Sequence, residues 1–197
     1  MTGTIRADAA RNRDRLAAAA AALFAERGVD VPLEEIARRA GVSIGTLYNH
    51  FPNRGALLDA VLPGRLAELD GLAQVALADP DAWRGFAGFL DGMFVLQARD
   101  RSMNEAIART PAGSVDVAGE CGRAGGVLDS VVSRARDAGV LRADFVAEDL
   151  ATLVWAMSKV IAMSSGDDRV WRRHLRFVLD GLRVRSLPNS AGSAPRE

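Results

Sequence analysis

Apolar residues return along this chain at helical intervals. Leu16, Ala19, Ala20, Leu23 and Phe24 recur at i, i+3, i+4, i+7 and i+8, one face of a helix. Gly28 follows as a stopping C′ glycine. The spacing predicts a second helix over Leu33–Ala40, with Pro32 near its start and Ile36, Ala37 and Ala40 turned inward. Gly41-Val42-Ser43 reads as a tight turn, with Ser43 capping a third helix, about Ile44–His50, anchored by Leu47. Phe51-Pro52-Asn53 breaks that helix. Asn53 then caps a fourth that begins near Arg54 and runs toward Ala78, and Pro63-Gly64 inside it predicts a kink or break. After Asp79-Pro80 the segments 82–99, 101–109, 115–139, 146–164 and 168–185 keep the same period. Gly139 and a cap at Asp144 separate two of them, and Asp167 caps the last. No alternating β-branched run marks a strand, and no period repeats. The expected fold is all-α, about nine helices. Residues 1–10 and the Ser-, Gly-, Pro- and Ala-rich stretch 187–197 read as a disordered arm and tail.

Composition narrows the classes. The chain has 197 residues, 49% hydrophobic and 25% charged, enough for a sizeable core without metal or disulfide. Its single cysteine, Cys121, excludes an intrachain disulfide and a multi-cysteine zinc cluster, and fits a reducing cytoplasm. Two histidines exclude a multi-histidine metal site. The longest charge-free apolar runs, Leu16–Ala25 and Leu150–Ser158, fall short of the ~20 residues that span a membrane. Arg6, Arg11, Arg13 and Arg15 ahead of the first run have the look of a secretory signal. Asp8 and Asp14 among them, the alanine-rich run and the Glu26-Arg27 that follows instead read as an amphipathic helix.

The chemistry lies in 33-LEEIARRAGVSIGTLYNHF-51. Two short helices joined by a three-residue turn make a helix-turn-helix. Ala37 is small where the helices cross, Gly41 supplies the left-handed turn residue, and Ile36, Val42 and Leu47 fill the space between them. The second helix then offers Ser43, Ile44, Gly45, Thr46, Tyr48, Asn49 and His50 as a major-groove reader. Gly45 reads either as room for close backbone approach to DNA or as part of a frayed first turn. Tyr48 is read as a phosphate donor ahead of an aromatic packed on the helix pair. Asn49 either addresses adenine through its amide or is simply solvated. Thr46 offers a hydroxyl or methyl to a base edge, Ile44 an apolar contact to a thymine methyl, and His50 a backbone contact or cap. Arg54, in the first turn of the fourth helix, is placed to meet a phosphate, as a solvated charge otherwise. Residues 1–60 hold 8 basic and 7 acidic residues and the remainder 17 and 18, so position rather than net charge has to serve a polyanion. Arg11, Arg13 and Arg15 are expected near phosphates, with Glu34 and Glu35 facing away.

Residues 16–62 resemble the DNA-binding domain of the tetracycline-repressor (TetR) family. The resemblance is carried by Ala18-Ala19, Leu23-Phe24, Gly28, Ile36-Ala37, Ala40-Gly41-Val42-Ser43, Gly45-Thr46-Leu47-Tyr48, His50-Phe51, Asn53-Arg54 and Leu57-Leu58. It implies a homodimer with a helix-turn-helix head and a helical body that binds an inducer and supplies a four-helix dimer interface. The DNA-touching positions would be Ile44, Gly45, Thr46, Tyr48, Asn49, His50 and Arg54. Val31-Pro32 stands where the family often has a Thr or Ser cap, so a phosphate contact from the start of helix two is not implied. Residues 136–150 and 171–183 are similar to C-terminal segments of one subgroup, while 80–135 carry no such similarity.

The expected organisation is an arm (1–10), a DNA-binding head (11–58), a ligand-binding and dimerisation body (59–186) and a tail (187–197). In such a body Trp83, Phe86, Phe89, Met93, Phe94, Met103, Trp155 and Met157 would line an inducer cavity, ordinary core being the other reading. Few charges fall among them, which suits a neutral or hydrophobic effector. Leu150, Leu153, Val154, Met157, Ile161, Leu175, Val178 and Leu182 form stripes able to close a dimer interface. The functional expectation is a ligand-responsive regulator, a repressor, reading a near-palindromic operator as a dimer in the cytoplasm. The alternative is a helical small-molecule or partner-binding protein that has lost DNA binding. No nucleotide-binding, zinc-protease or nucleophile-elbow motif occurs, so no enzyme, cofactor or metal is expected. A gel shift separates the two readings.

Overall fold

The computed structural model describes residues 2–109, 122–164 and 166–184. Among these, nine helices run in order: α1 (Thr2–Arg27), α2 (Leu33–Ala40), α3 (Ile44–His50), α4 (Arg54–Ala78), α5 (Ala82–Arg99), α6 (Arg101–Arg109), α7 (Gly122–Asp137), α8 (Ala147–Met163) and α9 (Asp168–Leu182). The expected tail 187–197, residues 115–121 of the seventh segment and Cys121 lie outside the described residues.

Two apolar cores form. The first gathers the inward stripe of α1 (Leu16, Ala19, Ala20, Leu23, Phe24) with Val31, Ile36, Ala37, Ala40, Leu47, Phe51, Leu57 and Val61. The second is built from α5, α7, α8 and α9 around Phe86, Phe89, Phe94 and Trp171, with Ala73 and Ala76 of α4. Gly85 shows how tightly α4 and α5 meet, for a Cβ there would stand 2.4 Å from the Ala76 carbonyl oxygen. The carbonyls at the end of α4 are met by Arg134, which donates to the oxygens of Ala76 and Asp79.

Three expectations need correction. Residues 2–10 are not a disordered arm but the opening of α1, where alanine favours helix and Arg11 pairs with Asp8 one turn back. Of the kink or break expected at Pro63-Gly64, the break does not occur: α4 is one helix from Arg54 to Ala78. Pro63 and Asp59, whose carbonyl loses its helical donor, both lie on the exposed face, where water replaces the lost bond, and the two cores grip the helix on either side. Asp144 does not cap α8. It pairs with Arg142, and Asp149 instead accepts from the backbone N–H of Val146 at 3.0 Å. The structure adds an antiparallel bridge between Leu141 and Arg183, closed by the N–H of Arg142 to the Leu182 carbonyl (3.0 Å) and of Val184 to the Val140 carbonyl (3.0 Å).

Candidate nucleic-acid interface

The α2–α3 corner is set by its turn. Gly41 sits at φ +66°, the left-handed region, and its N–H donates to Arg38 O (3.1 Å), while Val42 N–H donates to Ala37 O (3.0 Å). Ser43 then caps α3: its hydroxyl oxygen accepts from Thr46 N–H at 3.1 Å and lies 2.9 Å from Thr46 Oγ1. Leu47 is fully buried and pins the other side of α3 to the first core.

With Leu47 inward, rotation per residue fixes what faces out. Ile44, Tyr48, Gly45 and Asn49 occupy a contiguous arc of about 140° at ~100° per residue, and all four are exposed. Ser43 at the helix entry is exposed too, while Thr46 and His50 flank the arc half-buried. Tyr48 is 48% exposed, which places it on the open surface rather than packed on the helix pair. A Cβ at Gly45 would meet nothing closer than Ser43 Oγ at 3.8 Å, so the fold itself does not require glycine there.

The arginines are arranged differently from expectation. Arg54 turns inward: its Nη1 donates to the carbonyls of Val29 and, at 2.6 Å, Val31, and the residue is half-buried. It ties the α1–α2 loop to the start of α4 and stands apart from the exposed arc. Arg13 donates to His50 O (3.3 Å) with its guanidinium 4.6 Å from the Phe51 ring centre, and Arg15 donates to Gly41 O (3.4 Å). These two residues of α1 thus tie it to the turn ahead of α3 and to the last residue of α3, and Arg11 is engaged by Asp8. Glu35 pairs with Arg27, and Glu26 with Arg39 through two bonds of 2.9 Å. That bidentate bond holds the Glu26 carboxyl below the usual glutamate range. The sequence carries no signal for the contacts of Arg13, Arg15 and Arg54, because their carbonyl partners are backbone groups distant in the chain.

The eight residues expected around an inducer divide by burial. Phe86, Phe89, Met93, Phe94 and Met157 are buried together in the second core, Trp83 packs on Phe86 with ring centres 5.8 Å apart, and Met103 and Trp155 are half-buried. A cleft of about 570 Å³ lies elsewhere, between α1, α6 and α8, and none of the eight lines it. Its walls include Glu26, Ala98, Arg99, Arg101, Asn104 and Ile161.

The eight residues of the expected dimer stripe also divide by burial. Leu150, Met157, Leu175 and Leu182 are buried in this chain's own core, and Leu153, Val154, Ile161 and Val178 pack half-buried against it. An apolar stripe records burial, not whose core buries it. Among the described residues, the large apolar side chains that α8, α9 and the residues after them leave in solvent are Met163 (84% exposed), Val170, Phe177 (60%) and Val184. No helix among the described residues is long and apolar enough to cross a membrane.

Comparison with known proteins agrees with this architecture. Residues 16–61 match the tetR family of bacterial regulatory proteins, and residues 80–184 match the C-terminal domain of SbtR-like transcriptional regulators, which extends the likeness over 80–135. The uncharacterized HTH-type transcriptional regulator TtgW of Pseudomonas putida is 42% identical over 65 residues, 32% of this chain and 48% of that one. The HTH-type transcriptional repressor KstR of Mycolicibacterium smegmatis is 28% identical over 130 residues, 64% of each chain. The matches to these two curated relatives thus span less than two thirds of either one's length. A TetR transcription regulatory protein from Mycobacterium vanbaalenii superposes with a TM-score of 0.59 at 32% identity, covering 91% of this chain and 99% of that one. With both its reading corner and its helical body matched, the chain belongs to the tetR family of bacterial regulatory proteins.

Proposed function

We propose that this chain is a ligand-responsive transcriptional repressor that binds a near-palindromic operator as a homodimer and is released by a small neutral or hydrophobic effector. The carrying observation is the exposed arc of α3, Ile44, Gly45, Tyr48 and Asn49, opposite a fully buried Leu47. A helix held this way presents side chains to a major groove, with Ser43, Thr46 and His50 at its margins. Arg54 is excluded from the reading set because it is committed to Val29 and Val31. The first core serves as the DNA-binding head, within 11–58, and the second as the effector and dimerisation body, within 59–186. The chain works in the cytoplasm and has no catalysis of its own. KstR, a repressor, supports repression as the sense of control.

The dimer closes through the exposed apolar residues Met163, Val170, Phe177 and Val184. Two heads one or more helical turns apart then meet successive major grooves. A gel shift with fragments of the source genome at low ionic strength tests the reading. Retention of particular fragments is expected. Indifference to every duplex overturns it, leaving a helical small-molecule-binding protein.

A further inference from the structure

Two carbonyls of the reading corner are met by arginines of α1. Gly41 closes α2 and His50 is the last residue of α3, so both carbonyls lie at the negative ends of helices, where a cation is favoured. Arg15 Nη2 donates to the first at 3.4 Å and Arg13 Nη1 to the second at 3.3 Å. Two residues apart on a helix means about 160° around its axis, so the pair leaves α1 on either flank of the fully buried Leu16. Phe51 fixes Arg13 further, with its ring centre 4.6 Å from the guanidinium carbon. Arg15 lies so close over Gly41 that a Cβ there would stand 2.5 Å from Nη2.

A guanidinium carries five N–H donors in a planar fork. Arg13 and Arg15 each spend one on a carbonyl, and both residues are exposed. Arg11, Arg27 and Arg39 are instead each neutralised by a carboxylate, of Asp8, Glu35 and Glu26. Neither Arg13 nor Arg15 has such a partner among the described residues. Asp14, between them in sequence, is exposed and lies about 160° around α1 from Leu16, away from the corner. Beside Arg15 opens a shallow depression of about 340 Å³, walled by Ala18, Ala19, Arg39 and Ala40. A tetrahedral anion fits there.

The two anchored carbonyls bracket α3, whose seven residues span ~10.5 Å, close to the ~12 Å width of a major groove. We infer that Arg13 and Arg15 are two-sided: each holds one end of the reading corner by a single N–H and takes a DNA phosphate with the others, one on each wall of the groove that α3 enters, an assignment that rests on the DNA-binding reading above. Carbonyl and aromatic contacts set both guanidinium groups in place before DNA arrives, so little side-chain freedom is lost on binding. The phosphates then fix where α3 sits, and the exposed arc of Ile44, Gly45, Tyr48 and Asn49 reads from that position.

The test uses the full-length chain and a genomic duplex retained in the gel shift, followed by fluorescence anisotropy between 50 and 200 mM salt. Arg13→Gln and Arg15→Gln keep an amide N–H and drop the charge. Each is expected to lower the slope of log K against log[salt] by ~0.9 per bound head, and Arg13→Lys and Arg15→Lys to restore it, which a purely structural role would not do. Arg11→Gln, removing a charge already committed to Asp8, is expected to leave the slope unchanged. Should the glutamine variants not fold, ethylation interference on the wild-type complex reads the same contacts. In each half-site, phosphates on both strands flanking the base pair that depends on Asn49 must be sensitive. Slopes unchanged in both glutamine variants, an equal fall in Arg11→Gln, or sensitive phosphates on one strand only overturn the inference and leave the DNA-binding reading standing. A wild type that retains no duplex overturns both.

Discussion

Replacing Arg54 by methionine keeps most of the apolar stem and removes the guanidinium that bonds to Val29 and Val31. Val31 is 3% exposed, so its carbonyl has little water to turn to. Hydrogen bonds from a charged donor contribute ~1.5–3 kcal/mol each, and partial exposure of the arginine discounts their sum to about 2–3 kcal/mol. For a chain of this length each kcal/mol lowers Tm by ~2–4 °C, which gives a fall of roughly 4–12 °C by differential scanning calorimetry. The same variant should bind DNA more weakly, since the loop leading into α2 loses its tie. The dependence of log K on log[salt] should not change, because no phosphate contact is lost. An arginine on a phosphate behaves in the opposite way: Tm holds, and the slope falls by ~0.9. Fluorescence anisotropy between 50 and 200 mM salt separates the two, and a reduced slope with unchanged Tm refutes the assignment of Arg54 to the fold.

Gly45→Ala should raise helix stability by about 0.5–1 kcal/mol, as space for the methyl exists, while weakening DNA binding; unimpaired binding would remove close backbone approach from the argument. Asn49→Ala should cost about 1–3 kcal/mol of discrimination at one base pair in a binding-site selection and leave the rest of the operator preference intact. Phe177→Glu, at a position 60% exposed, should convert dimer to monomer in sedimentation velocity while leaving the helical circular dichroism unchanged. Because Arg39 lowers the folded-state pKa of Glu26, its contribution is present above the ordinary glutamate value, ~4.3, and is lost as pH falls through the folded one. Urea midpoints of wild type and Glu26→Gln should therefore differ at pH 6 and converge toward pH 3; a gap that persists at pH 3 would be wrong for this ion pair.

Local chemistry was legible in the sequence wherever it governs structure. Gly41, Ser43 and Asn53 declare the ends of α2, α3 and α4 because a left-handed turn and a side-chain cap each need particular residue types. The bounds of α5 and α6 were readable from their apolar period. Contacts between distant segments were not. Nothing in the string says that Arg13, Arg15 and Arg54 find backbone carbonyls, since every carbonyl looks alike in one dimension. Nor does the period of α8 and α9 tell a protomer's own core from a partner's surface.

The unbroken course of α4 has a mechanical consequence. At ~1.5 Å per residue, its 25 residues make a rod about 37 Å long. One end is wedged among Ala73, Ala76 and the neighbouring helices, and the other carries Leu57 and Val61 under the reading corner. A swing of about 5° about the wedged end moves the far end by about 3 Å, a hydrogen bond's length. A helix continuous over that length links the fit at Ala73 and Ala76 to the surface proposed to address DNA.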